Sequence, residues 1–202
     1  MGFLITFEIQ ISQKNMENKI RCDWCLSSDL YKKYHDQEWG VPVYEDQKLF
    51  EFLILETFQA GLSWITILKK RENFRLAFDG FDHKKVANYT EDKIQELLQN
   101  SGIIRNQLKI RSAVSNAIAF MKVQDEFGSF SKYIWQFTDG KPIKNSRKTL
   151  KEVPATTPLS DEISKDLKKR GFKFVGSTVV YAHMQATGMV DDHVEDCFIR
   201  NQ

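Results

Sequence analysis

The segment TEDKIQELLQNSGIIRNQLKI, residues 90–110, predicts two helices joined by a tight turn. Thr90 is a suitable N-cap, and acidic residues follow it in the first turn. Three apolar residues then form a stripe at helical spacing: Ile94, Leu97 and Leu98. Gly102 breaks the first helix, and a second apolar series with helical spacing runs over residues 108–121. The pattern fits a helix-hairpin-helix unit, but by itself it favours an ordinary helical hairpin.

The rest of the chain is also mainly helical by its pattern, so we expect a mainly α fold. Further helices are predicted near Asp46, from Trp64, from Ser160 to Gly171, and within residues 174–188. The last of these segments is rich in β-branched residues and also permits a strand, but the spacing of its small and apolar residues favours a buried helix. Residues 138–158 are polar and contain Gly, Pro and several lysines, which indicates a connection between helical units.

Bulk composition sets limits on the class of protein. The chain has 202 residues, of which 42% are hydrophobic, so it can form one domain with a substantial core. No apolar run is long enough to span a bilayer, and a net charge of +2 does not by itself indicate a nucleic-acid binder. Three cysteines are too few for a disulfide framework, which favours a cytoplasmic location. We expect Met16 to be the natural start, with residues 1–15 a non-essential extension.

Cysteine and histidine residues near the two ends of the chain are candidate metal ligands. Cys22 and Cys25 form a C-x-x-C pair, His35 follows them, and His193 and Cys197 are four residues apart, on one face if helical. Zinc sites commonly combine ligands from two distant segments. One assignment uses both members of the C-x-x-C pair with the C-terminal pair, and the other replaces Cys25 by His35. Either site has four protein ligands and is therefore expected to be structural.

Aromatic residues are concentrated between Trp24 and Trp64, around the acidic residue Glu56. Trp and Tyr side chains carry a polar edge that needs a partner when it is buried. Together with a carboxyl group in a mainly apolar stretch, they predict a pocket for a flat polar or cationic ring. The alternative is that these aromatic residues only fill the core and that Glu56 lies at a surface edge.

Six blocks of this sequence, in order, resemble the bacterial 3-methyladenine DNA glycosylase I family. They are RCDW at 21–24, YHDQEWGVP at 34–42, QAGLSWITILKKRENFR at 59–75, GIIRN at 102–106, LKKRGFKFVG at 167–176 and DDHVEDC at 191–197. The blocks extend from Cys22 to Cys197 and so cover almost the whole chain. The resemblance implies a helix-hairpin-helix DNA glycosylase fold and a role in base-excision repair of alkylated double-stranded DNA. It also implies one catalytic unit, residues 16–202, with two helical subdomains, a base pocket between them and a monomeric state.

The resemblance assigns one structural zinc ion per chain to the four residues Cys22, His35, His193 and Cys197. The ion would join the N-terminal and C-terminal segments, and Cys25 would be a bystander close to it. The metal would then support the fold and take no part in the reaction.

The resemblance also places the base pocket and the DNA contacts. The family's base pocket corresponds to Glu56, with Tyr34, Trp24 and Trp64 as aromatic walls and Tyr31 nearby. The turn Gly61–Leu62 corresponds to the segment that fills the gap left by a flipped base. The hairpin from Gly102 to Arg105 corresponds to the phosphate-binding turn, and we expect Lys109 to add a further phosphate contact.

The resemblance, taken with the residues after the hairpin, predicts a monofunctional glycosylase with water as the nucleophile. Many relatives in the superfamily place an Asp after the hairpin, but the next Asp in this chain is Asp125. No lysine stands at a position that suggests lyase chemistry. The substrate is then 3-methyladenine, a cationic base and good leaving group, and 3-methylguanine is a conceivable minor substrate. The alternative is a zinc-stabilised helical DNA-binding protein without catalytic activity.

Overall fold

A computed structural model describes residues 19–201 of the chain. The predicted start at Met16 and the extension 1–15 lie outside the described residues. The described part is mainly helical, as the sequence predicts. Its α-helices are α1 (Asp29–Gln37), α2 (Asp46–Gln59), α3 (Trp64–Ala77), α4 (His83–Ala87), α5 (Glu91–Gln99), α6 (Gln107–Phe127), α7 (Phe130–Trp135), α8 (Pro158–Lys169) and α9 (Ser177–Ala186). Two short strands, β1 (Ile143–Lys144) and β2 (Val190–Asp191), pair in parallel. Short 3₁₀ turns cover Asp23–Cys25, Asp79–Phe81, Gln136–Thr138, Leu150–Glu152 and Phe198–Asn201.

Helix α2 is the central helix of the fold. Its residues from Leu49 to Phe58 are all buried, and the helix contacts α3, α6, α7 and α9. A mainly apolar helix that is buried on every side must be enclosed by other elements. This explains how Glu56, on a helix with no solvent-facing side in its second half, comes to lie inside the protein.

The predicted helical pair at residues 90–121 is confirmed as α5 and α6. The side chain of Thr90 accepts a hydrogen bond from the backbone N–H of Lys93, so Thr90 is the N-cap of α5. Asn106 caps α6 in the same way by accepting from the N–H of Lys109. On the neighbouring helix α3, the ammonium of Lys70 donates to the carbonyls of Ser101 and Gly102 and holds the turn in place.

The region predicted as helix within residues 174–188 is also helical, as α9. Helix α8 begins slightly before the predicted start, because Thr157 forms a capping box with Ser160 and Pro158 occupies the first turn. The polar connection 138–158 contains a feature that the sequence did not predict. Its strand β1 pairs with β2, and this pairing fastens the connection to the segment just before His193.

The N-terminal part of the described chain lies close against the end of α9. The backbone N–H of Gly40 donates to the carbonyl of Gln185, and that of Val43 donates to the carbonyl of Thr187. Gly188 has a φ of 69°, and a Cβ at this position would lie 2.4 Å from the carbonyl carbon of Val41. A glycine is therefore required where the two segments cross. No helix among residues 19–201 is long and apolar enough to cross a membrane.

Candidate functional site

A cavity of about 230 Å³ opens between the N-terminal segment, α2, the start of α3, and α9. It is lined by Trp24, Tyr31, Tyr34, Trp39, Glu56, Gln59, Trp64, Leu150, Val153, Ala182, Gln185 and Ala186. All five residues predicted to form a base pocket are in this set. Three of the lining residues recur at helical spacing on one face of α9, and the small size of two of them leaves room beside the helix: Ala182, Gln185 and Ala186.

Five aromatic rings line the cavity and contact one another in edge-to-face and tilted arrangements. The ring of Trp24 lies 5.0 Å from that of Tyr31 and 5.0 Å from that of Trp39, measured between centroids. Tyr34 lies 5.4 Å from Trp64 on the same measure. These contacts fix the rings relative to one another and present a cluster of π-faces and polar edges. Such a wall attracts flat and cationic groups.

Glu56 is the buried acidic group of the cavity. Only 3% of the residue is exposed, and its Oε2 has no hydrogen-bond partner among the described residues. Burial raises the pKa of Glu56 to about 8, from its usual value of 4.5. Burial, followed by the charge of Glu56, also raises the pKa of Tyr34 well above its ordinary value. The indole N–H of Trp64 is likewise buried without a partner within the described chain. The site therefore holds an unpaired acceptor and an unpaired donor in one cavity.

Seven lining residues were not predicted from the sequence as site residues: Trp39, Gln59, Leu150, Val153, Ala182, Gln185 and Ala186. Trp39 lies within the aromatic-rich region between Trp24 and Trp64, but no feature of the sequence distinguished it from the other rings there. Leu150 and Val153 come from the polar connection 138–158, which β1 fastens beside the cavity. Gln185 lies on the pocket face of α9, and only the helical spacing from Ala182 to Ala186 could have indicated it.

Cys22, His35 and Cys197 come together as the sequence predicted, and they form a group that can hold a metal ion. Their ligand atoms all lie within 4.8 Å of one another, and each of the three residues is buried. The Sγ of Cys197 is 3.5 Å from Nε2 of His35. A hydrogen bond from Cys22 lowers the pKa of Cys197 and raises that of Cys22, so the thiolate form is favoured at Cys197.

His193 lies beside this group, with its ring centroid 4.9 Å from that of His35. Its Nε2 is buried and has no partner in the described chain, while its Nδ1 lies 2.8 Å from a carboxylate oxygen of Asp191. The Nδ1 of His35 lies 2.9 Å from a carboxylate oxygen of Asp36 in the same way. Carboxylate–histidine pairs of this kind orient ligating imidazoles so that Nε2 faces the metal. The unpartnered Nε2 of His193 is therefore available to a metal ion beside the group of Cys22, His35 and Cys197.

Cys25 lies apart from the group of potential metal ligands. Its thiol donates to the backbone carbonyl of Cys22 at 3.1 Å. This contact stabilises the turn that presents Cys22, and burial raises the pKa of Cys25 to about 11. The thiol form therefore suits its position, and the bystander role of Cys25 stays a prediction.

Two tryptophans that line the cavity also contact the candidate metal ligands. The ring of Trp24 lies 5.5 Å from that of His35, and the ring of Trp39 lies 4.5 Å from that of His193. Both tryptophans line the cavity. Fixing the two histidines therefore also fixes one wall of the cavity.

The predicted wedge residues lie on the surface in the turn between α2 and α3. Gly61 is exposed with a φ of 83°, and Leu62 is 41% exposed although it is a large apolar residue. An exposed leucine at the tip of a tight turn beside a cavity is free to contact another molecule.

Lys109 is not placed to hold a phosphate, in contrast to its predicted role. It is 7% exposed, and its ammonium donates to the carbonyls of Phe58 and Ala60 at 2.9 and 2.6 Å. These carbonyls lie at the C-terminus of α2, where a cation is favoured. Lys109 therefore supports the turn that presents Leu62 and does not reach solvent as the sequence suggested.

Only some of the backbone N–H groups in the hairpin turn are available to a phosphate. The backbone N–H of Gly102 donates to the side chain of Asn100 and is occupied. The N–H groups of Ile104 and Arg105 have no partner within residues 19–201, and Arg105 is exposed. They precede the N-terminus of the 21-residue helix α6, where an anion is favoured. The turn can therefore accept a phosphate at Ile104 and Arg105.

Comparisons with known proteins place this arrangement among enzymes of one family. The chain matches the family model described as methyladenine glycosylase over residues 24–200. It is 49% identical over 177 residues to the DNA-3-methyladenine glycosylase 1 of Escherichia coli strain K12, covering 88% of this chain and 95% of that protein. A crystal structure of a 3-methyladenine DNA glycosylase I superimposes with a TM-score of 0.86 at 50% identity, covering 89% and 98% of the two chains. A variant of such an enzyme in complex with 3-methyladenine superimposes with a TM-score of 0.85 at 36% identity, covering 88% and 95%.

Proposed function

The chain belongs to the methyladenine glycosylase family, and from this premise we propose how it acts as a DNA repair enzyme. It is a hydrolase of N-glycosyl bonds that releases 3-methyladenine from alkylated DNA, as its similarity to enzymes of that name over almost their whole length supports. A DNA-binding protein without catalytic activity is not supported by these relatives. The cavity that holds Glu56 also has no purpose in a protein that only binds the DNA backbone.

The observation that carries the proposal is the unpartnered, buried carboxyl of Glu56 in an aromatic cavity. In DNA, 3-methyladenine is a cationic base. The aromatic walls attract such a ring by about 0.5–2 kcal/mol per cation–π contact. The exocyclic amine of the base is a donor for the free acceptor Oε2, and the ring nitrogens are acceptors for the free indole N–H of Trp64.

The raised pKa of Glu56 gives a physical basis for selecting a cationic base over a neutral one. With a pKa of about 8, the carboxyl is mostly protonated at pH 7 in the free protein. A cationic base in contact with Glu56 stabilises the carboxylate and releases the proton. Normal adenine is neutral and offers no charge to compensate for the burial of a carboxylate. The ion pair therefore forms only with the damaged base.

The reaction is hydrolysis of the bond between the base and C1′ of the sugar. The bond breaks with its electron pair going to the base, which leaves as neutral 3-methyladenine. Water then bonds to C1′ of the oxocarbenium-like sugar and loses a proton. The positive charge of the base makes it a good leaving group, so this chain needs no lysine nucleophile. Lys109, the first lysine after the hairpin in the sequence, is occupied by two carbonyls.

Base flipping brings the lesion from the duplex into the cavity. Extruding a base costs a few kcal/mol, and an apolar wedge offsets part of this cost by filling the vacated stack. Leu62 suits this role, because it is an exposed apolar side chain in the turn between Gln59 and Trp64, which line the cavity. The hairpin from Gly102 to Arg105 is a helix-hairpin-helix turn that holds a phosphate, in our proposal through Ile104 and Arg105.

A structural zinc ion is the remaining part of the proposal. Cys22, His35, His193 and Cys197 would hold it as a closed Cys₂His₂ site, and the unpartnered Nε2 of His193 supports this set. The ion would add to folding free energy. The protein residues that it fixes would keep Trp24 and Trp39 against the cavity.

Incubation of the purified protein with methylated duplex DNA tests the proposed function, with the released bases identified by chromatography. We expect 3-methyladenine to be released and normal adenine to remain in the DNA. Glu56→Gln should lower the rate by at least tenfold, while Glu162→Gln, an exposed glutamate on α8, should have no effect. Absence of released 3-methyladenine with the folded wild-type protein would rule the function out.

A further inference from the structure

Asp192 is a buried carboxylate that accepts hydrogen bonds from four donors, two in the connection 138–158 and two on α9. Its Oδ1 accepts from Asn145 Nδ2 at 2.8 Å and from Arg147 Nε at 3.3 Å. Its Oδ2 accepts from the hydroxyl of Tyr181 at 2.6 Å and from Gln185 Nε2 at 2.8 Å. The residue is 1% exposed. A carboxylate with this set of partners is held in one orientation.

The contact with Asp192 fixes the side-chain amide of Gln185. A carboxylate accepts hydrogen bonds and does not donate, so the NH₂ of the amide must face Asp192. Gln185 also lines the cavity next to Ala182 and Ala186. Because the amide nitrogen faces Asp192, the carbonyl Oε1 lies on the other side of the amide and is the acceptor that Gln185 can offer the cavity. This atom has no partner within residues 19–201.

We propose that Gln185 selects purines with a 6-amino group over purines with a 6-oxo group, and that Asp192 is the positioning residue that sets its amide. This inference rests on the proposed function and concerns the choice between lesions. The exocyclic amine of 3-methyladenine has two N–H donors, and the cavity then offers two acceptors, Glu56 and Gln185. In 3-methylguanine an oxygen replaces that amine, and Gln185 would then offer an acceptor to a group that needs a donor. An unpaired acceptor in a desolvated site is costly.

The substitution Asp192→Asn should reverse the amide of Gln185. The guanidinium of Arg147 has no acceptor, so the new NH₂ cannot face it and must take the position of Oδ2. There it faces Tyr181, whose hydroxyl can accept, and Gln185. Gln185 must then turn its carbonyl towards the new donor, which places its own NH₂ in the cavity. A donor in the cavity suits the 6-oxo group.

The test measures kcat/KM for release of 3-methyladenine and of 3-methylguanine from the same methylated DNA. For Asp192→Asn we expect the ratio of kcat/KM for 3-methyladenine to kcat/KM for 3-methylguanine to fall by about tenfold. This is about the effect of replacing one hydrogen-bond acceptor in the cavity by a donor. Gln185→Met removes the carbonyl and should lower the ratio as well. Adding Asp192→Asn to Gln185→Met should then change the ratio no further. Tyr181→Phe removes the other donor to Oδ2 and should leave the ratio unchanged.

Melting temperature and metal content of each variant show whether the fold is intact, since Asp192 is adjacent to His193. If Asp192→Asn does not fold, Gln185→Met decides alone, because Gln185 is only half-buried. Unchanged ratios in folded variants would overturn the role of Gln185 and leave the proposed function standing. A wild-type protein that releases no 3-methyladenine would overturn the proposed function instead.

Discussion

Replacing Glu56 by Gln should make the protein more stable at high pH, because the wild-type carboxyl resists ionisation in its buried position. Burial raises its pKa from 4.5 to about 8. In the unfolded chain the carboxyl ionises at its usual pKa, so the folded state binds more protons between these two values. The contribution of the neutral carboxyl to stability is then complete below pH 4.5 and is lost as pH rises through 8. The difference between the two pKa values corresponds to a loss of about 5 kcal/mol in the free energy of unfolding, at about 1.36 kcal/mol per pH unit.

The assay is urea unfolding of wild type and Glu56→Gln at several pH values between 4.5 and 9. At pH 4.5 both side chains are neutral, and the two free energies of unfolding should be similar. By pH 9 the variant should be more stable by an amount on the order of 5 kcal/mol, about two thirds of which is present at pH 7. The pH dependence of the cysteine and histidine group is common to both proteins and cancels in the difference. A difference that stays constant with pH would show that the carboxyl of Glu56 is hydrated and would refute this account.

Three further predictions concern the metal group, the wedge and the buried lysine. His193→Ala should lose bound zinc and melt several degrees lower, as measured by metal analysis and calorimetry. A zinc content equal to that of the wild type would remove His193 from the ligand set. The control is Asp196→Ala, at an exposed position. Leu62→Ala should slow excision from duplex DNA but leave binding of free 3-methyladenine unchanged. An equal loss of excision rate in Leu76→Ala, at another exposed leucine, would argue against a wedge role for Leu62. Lys109→Met should lower the free energy of unfolding by about 1–3 kcal/mol in denaturation experiments, because two carbonyls lose their donor; an unchanged stability with weaker DNA binding would restore its predicted role as a phosphate contact.

The helices could be predicted because their signals are local. The apolar spacing of α5, the cap at Thr90 and the break before Gly102 all lie within a few residues of one another. For α9 the same reasoning succeeded although its β-branched residues allowed a strand. The small and apolar residues on its buried face decided in favour of a helix.

The candidate site could be predicted in part, since Glu56 and four aromatic residues do line one cavity. Their role in binding a base stays a prediction. Lys109 was misplaced because a lysine near a hairpin looks solvent-exposed in sequence. Its carbonyl partners lie 51 and 49 residues earlier in the chain, so only the fold reveals them.

Gln185 and Asp192 were missed for the same reason. Their roles depend on donors from residues 145–147 that β1 brings to the end of α9. No local pattern marks such an arrangement. The stretch that contains Asp192 was noted only for its possible metal ligands His193 and Cys197.

A crystal structure of the protein with 3-methyladenine tests the central claim most directly. The account predicts the base inside the aromatic cavity, with its exocyclic amine within hydrogen-bond distance of the Glu56 carboxyl and its ring against Trp24 or Trp64. A base bound elsewhere on the surface, or one inside the cavity with no contact to Glu56, would contradict the account.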